Sequence, residues 1–185
     1  MMKVAIIGAG VSGLSAAYAM REIAGEVTVF EKSRGVSGRA ASRTRHGARF
    51  DYGANYFKTG SEEIGKLVRE DLSTEGLVDI GREVWTFDFG GVIRPGDPEQ
   101  NKEAKWVYVN GISTLGKQLA EVSGVEVRRE TRVHSLDYED GRWRLVDDGG
   151  VDLGVFDRVL LTPPAPQTCE ILEAGTIGIQ GFGTN

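Results

Sequence analysis

Cysteine is nearly missing from this chain: Cys169 stands alone among 185 residues. A single cysteine excludes an internal disulfide, a cysteine-based zinc site and a Cys-x-x-Cys redox pair. Cys169 follows a proline-rich stretch and reads as a small residue on a helix rather than as a nucleophile. Histidine is almost as scarce. His46 and His134 are isolated, and no His/Asp/Glu spacing resembles a metal site. Both histidines read as surface or structural. No apolar run is long enough to cross a bilayer, and the N-terminal one is too short for the core of a signal peptide. The expectation is a cytoplasmic protein with no membrane partner. Excess positive charge is lacking too. With 22 Lys+Arg against 27 Asp+Glu the net charge is −5, which argues against nucleic acid as a partner.

The composition is otherwise that of a globular protein, and the length suits one domain or two small ones. Glycine is abundant, 26 residues, which points to many tight turns because no segment is of low complexity.

The densest information lies between Lys3 and Glu31. An apolar run, Lys3-Val4-Ala5-Ile6-Ile7, enters Gly8-Ala9-Gly10-Val11-Ser12-Gly13. A small-residue helix is expected from Ser12 to Ile23, then a second strand, Val27-Thr28-Val29-Phe30, ending at Glu31. Gly8 permits a tight turn, Gly10 lets the backbone approach a pyrophosphate, and Gly13 allows close helix–strand packing. The helix would aim its unpaired N–H groups at phosphates. Glu31 stands where a carboxylate accepts hydrogen bonds from both ribose hydroxyls, and it would repel a 2′-phosphate. The unit therefore reads as a dinucleotide site that suits NADP poorly.

Beyond it the chain alternates polar loops and short elements. Strands are expected within 48–57, at 83–89 and at 105–109, with a polar loop over 95–102. Helices are expected from an N-cap at Ser61 to Leu72 and over 112–122. Short strands follow at 125–128, 132–138 and 142–146, the last two joined by the hairpin pair Asp140-Gly141. A final apolar strand runs from Phe156 to Leu161 and stops at Thr162-Pro163-Pro164. A plain Rossmann unit would continue with regularly alternating strands and helices. This late meander departs from that. Arg39 reads as a phosphate clamp, and Arg43, Arg45 and Arg49 as solvated surface. Trp85, Phe87, Phe89, Trp106 and Tyr108 alternate along strands and read as core, with an aromatic substrate pocket as the alternative.

The chain resembles a renalase-type FAD-dependent oxidoreductase, a branch of the amine-oxidase-like flavoproteins. The match is carried by Val4–Gly13 with Glu31; by Arg34-Gly35-Val36-Ser37-Gly38-Arg39; by Asp51-Tyr52-Gly53-Ala54-Asn55-Tyr56; by Asn110-Gly111-Ile112-Ser113-Thr114-Leu115; and by Arg132-Val133 with Leu160–Gln167. The implied fold is α/β: a parallel, Rossmann-like FAD-binding sheet crossed by a β-meander, plus an incomplete α+β substrate domain. On that basis 1–56 and 125–170 form a discontinuous FAD-binding domain, 57–124 part of a substrate domain, and 171–185 an atypical tail.

The resemblance implies FAD as cofactor. Gly8, Gly10, Val11, Ser12 and Gly13 would lie along the pyrophosphate, with Glu31 and Lys32 near the adenosine ribose. Gly38, Arg39 and Ala40 would reach the pyrophosphate or ribityl region. Gly53, Ala54 and Asn55 would lie against the flavin, Val133 would pair with the adenine through its backbone, and Thr162 and Pro163 would close over the dinucleotide. The implied reaction is hydride transfer from a small-molecule substrate, a dihydro isomer of NAD(P), to flavin, with reoxidation by oxygen. Hydride transfer has no obligate side-chain base, so no catalytic residue is named. Amine oxidation is the alternative within enzymes. Two departures stand out. Ser37 replaces the first glycine of a Gly-Gly-Arg motif. Family members are also longer, and their later half completes the substrate domain, so an inactive flavoprotein fragment is the other alternative. The oligomeric state is left open.

Overall fold

The computed structural model describes residues 1–176. The chain divides into two compact units, Met1–Arg39 with the chain from Gly116 onward, and Ala40–Leu115. The boundaries expected from the sequence lie at 56/57 and 124/125, both between local elements.

The first unit opens with β1 (Lys3–Ile7), whose last four residues are all buried. Helix α1 (Val11–Met20) and β2 (Glu26–Phe30) follow, and β2 pairs parallel to β1 with Val4 opposite Val27 and Ile7 opposite Phe30. α1 ends three residues before Ile23, the expected end. Ile23 and Ala24 both bond back to the Met20 carbonyl, and the Arg21 guanidinium donates to the Tyr18 carbonyl at 2.6 Å while covering the Tyr18 ring. The last carbonyls are thus satisfied without another helical turn.

The second unit begins with a hairpin, β3 (Ser42–Arg45) and β4 (Ala48–Asp51). His46 and Gly47 turn it at φ +49° and +77°, the signature of a two-residue primed turn. Helix α2 (Glu62–Lys66) starts at Ser61, whose hydroxyl accepts the Ile64 N–H, and continues as one π-helical stretch over Leu67–Asp71. The expected extent from Ser61 to Leu72 matches the two together. β5 (Leu77–Asp79), β6 (Trp85–Phe87) and β7 (Ile93–Pro95) come next.

Within the expected polar loop lies a short helix, α3 (Pro98–Lys102). Asp97 caps it by accepting the Glu99 and Gln100 N–H groups, and Pro98 occupies its first turn, where a missing N–H costs nothing. β8 (Trp106–Tyr108) pairs antiparallel with β5, and β6 with β7. Tyr108 is core and stacks on Phe57. Trp85, Phe87 and Phe89 are exposed instead of buried. They lie on or beside the two-stranded β6–β7 ribbon, whose strands, among the described residues, pair with each other alone.

Helix α4 (Ser113–Ser123) leads back to the first unit and ends before Gly124, at φ +62°. β9 (Glu126–Arg128) joins β2 in parallel. β10 (Val133–Glu139), β11 (Arg142–Asp147) and β12 (Asp152–Phe156) form the antiparallel meander, turned at Asp140-Gly141. β13 (Arg158–Leu161) returns parallel to β1, completing a four-stranded parallel sheet of order β13-β1-β2-β9. Phe156, expected to open that final strand, closes β12. Asp157 makes the break by exchanging bonds with the backbone of Lys3.

The core joins both layers: Ala5, Ile7 and Phe30 of the sheet pack with Leu136, Leu145 and Phe156 of the meander. The Phe30 and Phe156 rings meet edge to face at 5.8 Å. Helix α5 (Ala165–Ala174) carries Cys169 on its exposed side and extends past residue 171, where the tail was expected to begin. Residues 177–185 of that expected tail lie outside the described residues. Among the described residues, no helix is long and apolar enough to cross a membrane. The fold class is α/β, a Rossmann-like parallel sheet with a meander across it.

Candidate dinucleotide site

The turn after β1 shows why its glycines differ. Gly8 has φ +99°, a region L side chains rarely adopt, and a Cβ there would lie 2.8 Å from the Thr162 hydroxyl oxygen. A Cβ on Gly13 would collide with the Gly8 carbonyl oxygen, so the helix can lie against the strand only with glycine at 13. Gly10 is another case. Its backbone is extended, φ −75° and ψ 176°, and a Cβ would meet only the Gly38 Cα, at 3.8 Å. The fold requires glycine at 8 and 13 and leaves it unexplained at 10.

Gly10 is also the N-cap of α1. No side chain caps that end, and no acid occupies its first turn. Ser12 is exposed there. A helix start with free N–H groups and no nearby acid favours an anion.

Glu31, at the end of β2, is buried, and its carboxylate is engaged on both oxygens. Oε2 accepts the Ala9 N–H and Oε1 the Ser33 N–H, each at 2.8 Å. A carboxylate oxygen has a second lone pair, so acceptance from a ribose hydroxyl is still open to it. Thr162, just after β13, donates its hydroxyl to the Ile7 carbonyl at 2.8 Å, which ties the returning strand to the glycine turn. Pro163 follows, half-buried.

Ser37 sits in the adjoining loop at φ +90°, and it is fully buried. A non-glycine residue in that region costs about 1 kcal/mol or somewhat more. Its N–H donates to the Ala9 carbonyl at 2.8 Å, and it bridges Gly10 in parallel fashion. Gly38 follows at φ +57°, so close that a Cβ would lie 2.9 Å from the Gly10 Cα. Arg39 is exposed. Lys32 reaches Gln167 with its ammonium at 3.1 Å. Val133 has its side chain in the core cluster, leaving only its backbone for a ligand.

The structure thus gathers Gly8, Gly10, Gly13, Glu31, Gly38 and Thr162 at one end of the parallel sheet. In the second unit, Gly53, Ala54 and Asn55 follow β4 as exposed residues, and Ala40 is buried. Arg43 and Arg45 are exposed, as expected of surface residues, with Arg43 lying over the Tyr52 ring. Arg49, also exposed, donates to the Asn110 carbonyl.

Two structural roles were missed in the sequence. Asp51 accepts the Ser42 hydroxyl at 2.6 Å and the Ile112 N–H at 3.0 Å, and Ser42 accepts the Ser113 N–H at 3.1 Å. The start of α4 is therefore capped by a hairpin far away in sequence. Gly111, at φ +86°, leaves room for Ser42 there. The other role is that of Gly116, against which Ser37 packs. Its signal was a glycine inside a helix, which needs a packing reason.

Comparison with known proteins agrees with this geometry. The model of the NAD(P)-binding Rossmann-like domain matches residues 6–70, and that of the flavin containing amine oxidoreductases matches 84–171. Protoporphyrinogen oxidase 2, chloroplastic/mitochondrial, of Arabidopsis thaliana is 43% identical over 70 residues, 38% of this chain and 14% of its own length. A 4,4'-diapophytoene desaturase of Staphylococcus haemolyticus is 34% identical over 85 residues, 43% of this chain and 17% of its own. Among solved structures, wild-type putrescine oxidase bound to putrescine superposes with a TM-score of 0.70 at 16% identity, over 92% of this chain and 60% of that one. A CLA-producing fatty acid isomerase from P. acnes gives 0.70 at 16% identity, over 95% and 61%. Each family model covers less than half of the chain, and the chain spans under a fifth of those curated relatives and about 60% of those structures.

Proposed function

We propose that this chain provides the FAD-binding part of an amine-oxidase-like oxidoreductase. The observation that carries the reading is Gly10. Its backbone suits any residue and its Cβ position is open, so no described residue accounts for a demand for glycine there. A diphosphate laid over the start of α1 makes that demand. Gly8 and Gly13 shape the turn, Val11, Ser12 and Gly13 offer N–H groups, and Glu31 offers its remaining lone pairs to the adenosine ribose. Lys32 lies beside Glu31 at the ribose, and Gly38, Arg39 and Ala40 extend the contact along the diphosphate and ribityl chain. Val133 offers its backbone to the adenine, Thr162 and Pro163 close over the dinucleotide, and Gly53, Ala54 and Asn55 meet the flavin.

When bound, FAD would supply a two-electron acceptor for hydride transfer, with dioxygen as the final oxidant. The chain's part is to bind and orient. The substrate is a small reduced nitrogen compound, and the renalase-like motifs at Asp51–Tyr56, Asn110–Leu115 and Thr162–Gln167 favour a dihydro isomer of NAD(P). Amine oxidation is the second reading, favoured by the family match over 84–171.

Titration with FAD, followed by quenching of flavin fluorescence, tests the first step. Saturable one-to-one uptake is expected, and a protein that takes up no FAD refutes the reading. Anaerobic mixing of the loaded protein with dihydronicotinamide isomers or with putrescine then separates the substrates, since only a true donor bleaches the flavin.

A further inference from the structure

The register of β6 and β7 sorts the side chains of their ribbon. Trp85 lies opposite Pro95 and Phe87 opposite Ile93, so these four share one face. Thr86 lies opposite Arg94 on the other face, and Arg94 reaches Asp88 at 3.5 Å. One face is thus apolar and the other polar. The apolar face is bare: Trp85 is 56%, Phe87 82% and Ile93 68% exposed, and Phe89 at the turn is fully exposed. The ribbon is nonetheless held at its base. The Val84 N–H donates to Asn101 Oδ1 at 2.8 Å, and the Val84 carbonyl accepts the Asn101 side-chain amide at 3.2 Å and the Gly96 N–H at 2.9 Å. Asp88 closes the other end by accepting the Gly90 and Val92 N–H groups. A two-stranded ribbon is marginal in water unless a face is covered. With those exposures the apolar face leaves about 600 Å² open, at the top of what a monomer ordinarily shows. Two such faces laid together remove about 1,200 Å² from water, the lower bound for a stable protein interface.

We propose that this chain pairs with a second copy of itself through the apolar face of the β6–β7 ribbon, with Trp85, Phe87 and Ile93 of one copy lying against those of the other. The centre of the patch carries no charge, so a two-fold pairing brings no like charges together there. Charge speaks against an anionic lipid surface as the occupant. The chain has a net charge of −5, and Asp88 stands at the turn of the ribbon. The proposal does not rest on the dinucleotide reading.

The test is sedimentation equilibrium of the full chain between about 1 and 100 µM. The parent is expected to reach the mass of two chains at the upper end and to fall toward one on dilution. Phe87→Ser combined with Ile93→Thr is expected to weaken pairing by about 100-fold or more, with a parental circular dichroism spectrum. Thr86→Lys, on the opposite face, should pair like the parent. Iodide quenching of Trp85, isolated by difference from Trp85→Phe, should fall in the parent as concentration rises. A parent that stays a single chain at the highest concentration overturns the proposal. So does a pair that survives the double variant, or a mass that keeps growing beyond two chains. If the double variant does not fold, the quenching decides, and Trp85 equally quenched at every concentration overturns the pairing. A single-chain parent that floats with phosphatidylcholine vesicles would make lipid the occupant and overturn it as well.

Discussion

The carboxylate of Glu31 accepts the backbone N–H of Ala9 at 2.8 Å, joining the end of β2 to the glycine turn after β1. The acid expected to serve the ligand also holds the turn that binds it. Replacing it with glutamine keeps one acceptor oxygen and turns an amide NH₂ toward one of the two backbone donors, Ala9 or Ser33. Leaving a buried donor unpaired costs about 1–3 kcal/mol. Glu31→Gln is therefore expected to lose roughly that much stability in urea unfolding, and FAD affinity with it. Unchanged stability would mean that the turn does not depend on this bond.

Glycines 10 and 13 make opposite predictions. Gly13→Ala puts a methyl into the Gly8 carbonyl oxygen and is expected to destabilise the chain by roughly 1–3 kcal/mol or more. Gly10→Ala meets only ordinary contact, so it should leave unfolding within about 0.5 kcal/mol of the parent. Its effect should appear as weaker FAD binding. Urea unfolding paired with FAD titration separates the two, and a Gly10→Ala protein with parental affinity would remove the steric case for a diphosphate there.

The remote cap at α4 is open to a graded test. Asp51→Ala removes the acceptor for both Ser42 and Ile112, and loss of a cap costs about 0.5–2 kcal/mol. Asp51→Asn retains an acceptor oxygen and should cost less. Equal losses for the two variants, measured by thermal melting, would show that the charge rather than the geometry holds the helix start.

The residues legible in sequence were those whose roles are set by local backbone demands. Gly8 and Gly13 sit at fixed offsets from a strand end, Ser61 directly precedes its helix, and Asp140-Gly141 is a complete hairpin turn within two residues. Roles that depend on a distant partner left no such mark. Asp51 caps a helix 61 residues away, and the reason for Gly116 lies in Ser37. The short helix α3 was within reach, since Asp97-Pro98 combines an N-cap with a first-turn proline. Its five residues are too few to show a period. Alternation along 83–89 marked a strand but not its surroundings, and a ribbon that among the described residues pairs only with itself leaves Trp85 and Phe87 exposed.

Asp157 links stability to pH. Hydrogen bonding from the Lys3 N–H first, then the Arg142 guanidinium at 3.2 Å, holds its carboxyl below the ordinary aspartate value. A group whose pKa is lower in the folded chain stabilises it above the unfolded pKa, near 3.9, and loses that contribution as pH falls through the folded value. Asp157→Asn should therefore melt below the parent at neutral pH, with a constant gap down to about pH 5. The gap should then narrow as acid protonates the parent's carboxyl. The other carboxylates are common to both proteins and cancel in the difference. Thermal melts of the pair across an acid series read the gap directly. A gap that widens on acidification would reverse the sign and show that Asp157 is held neutral, not ionised, in the folded chain.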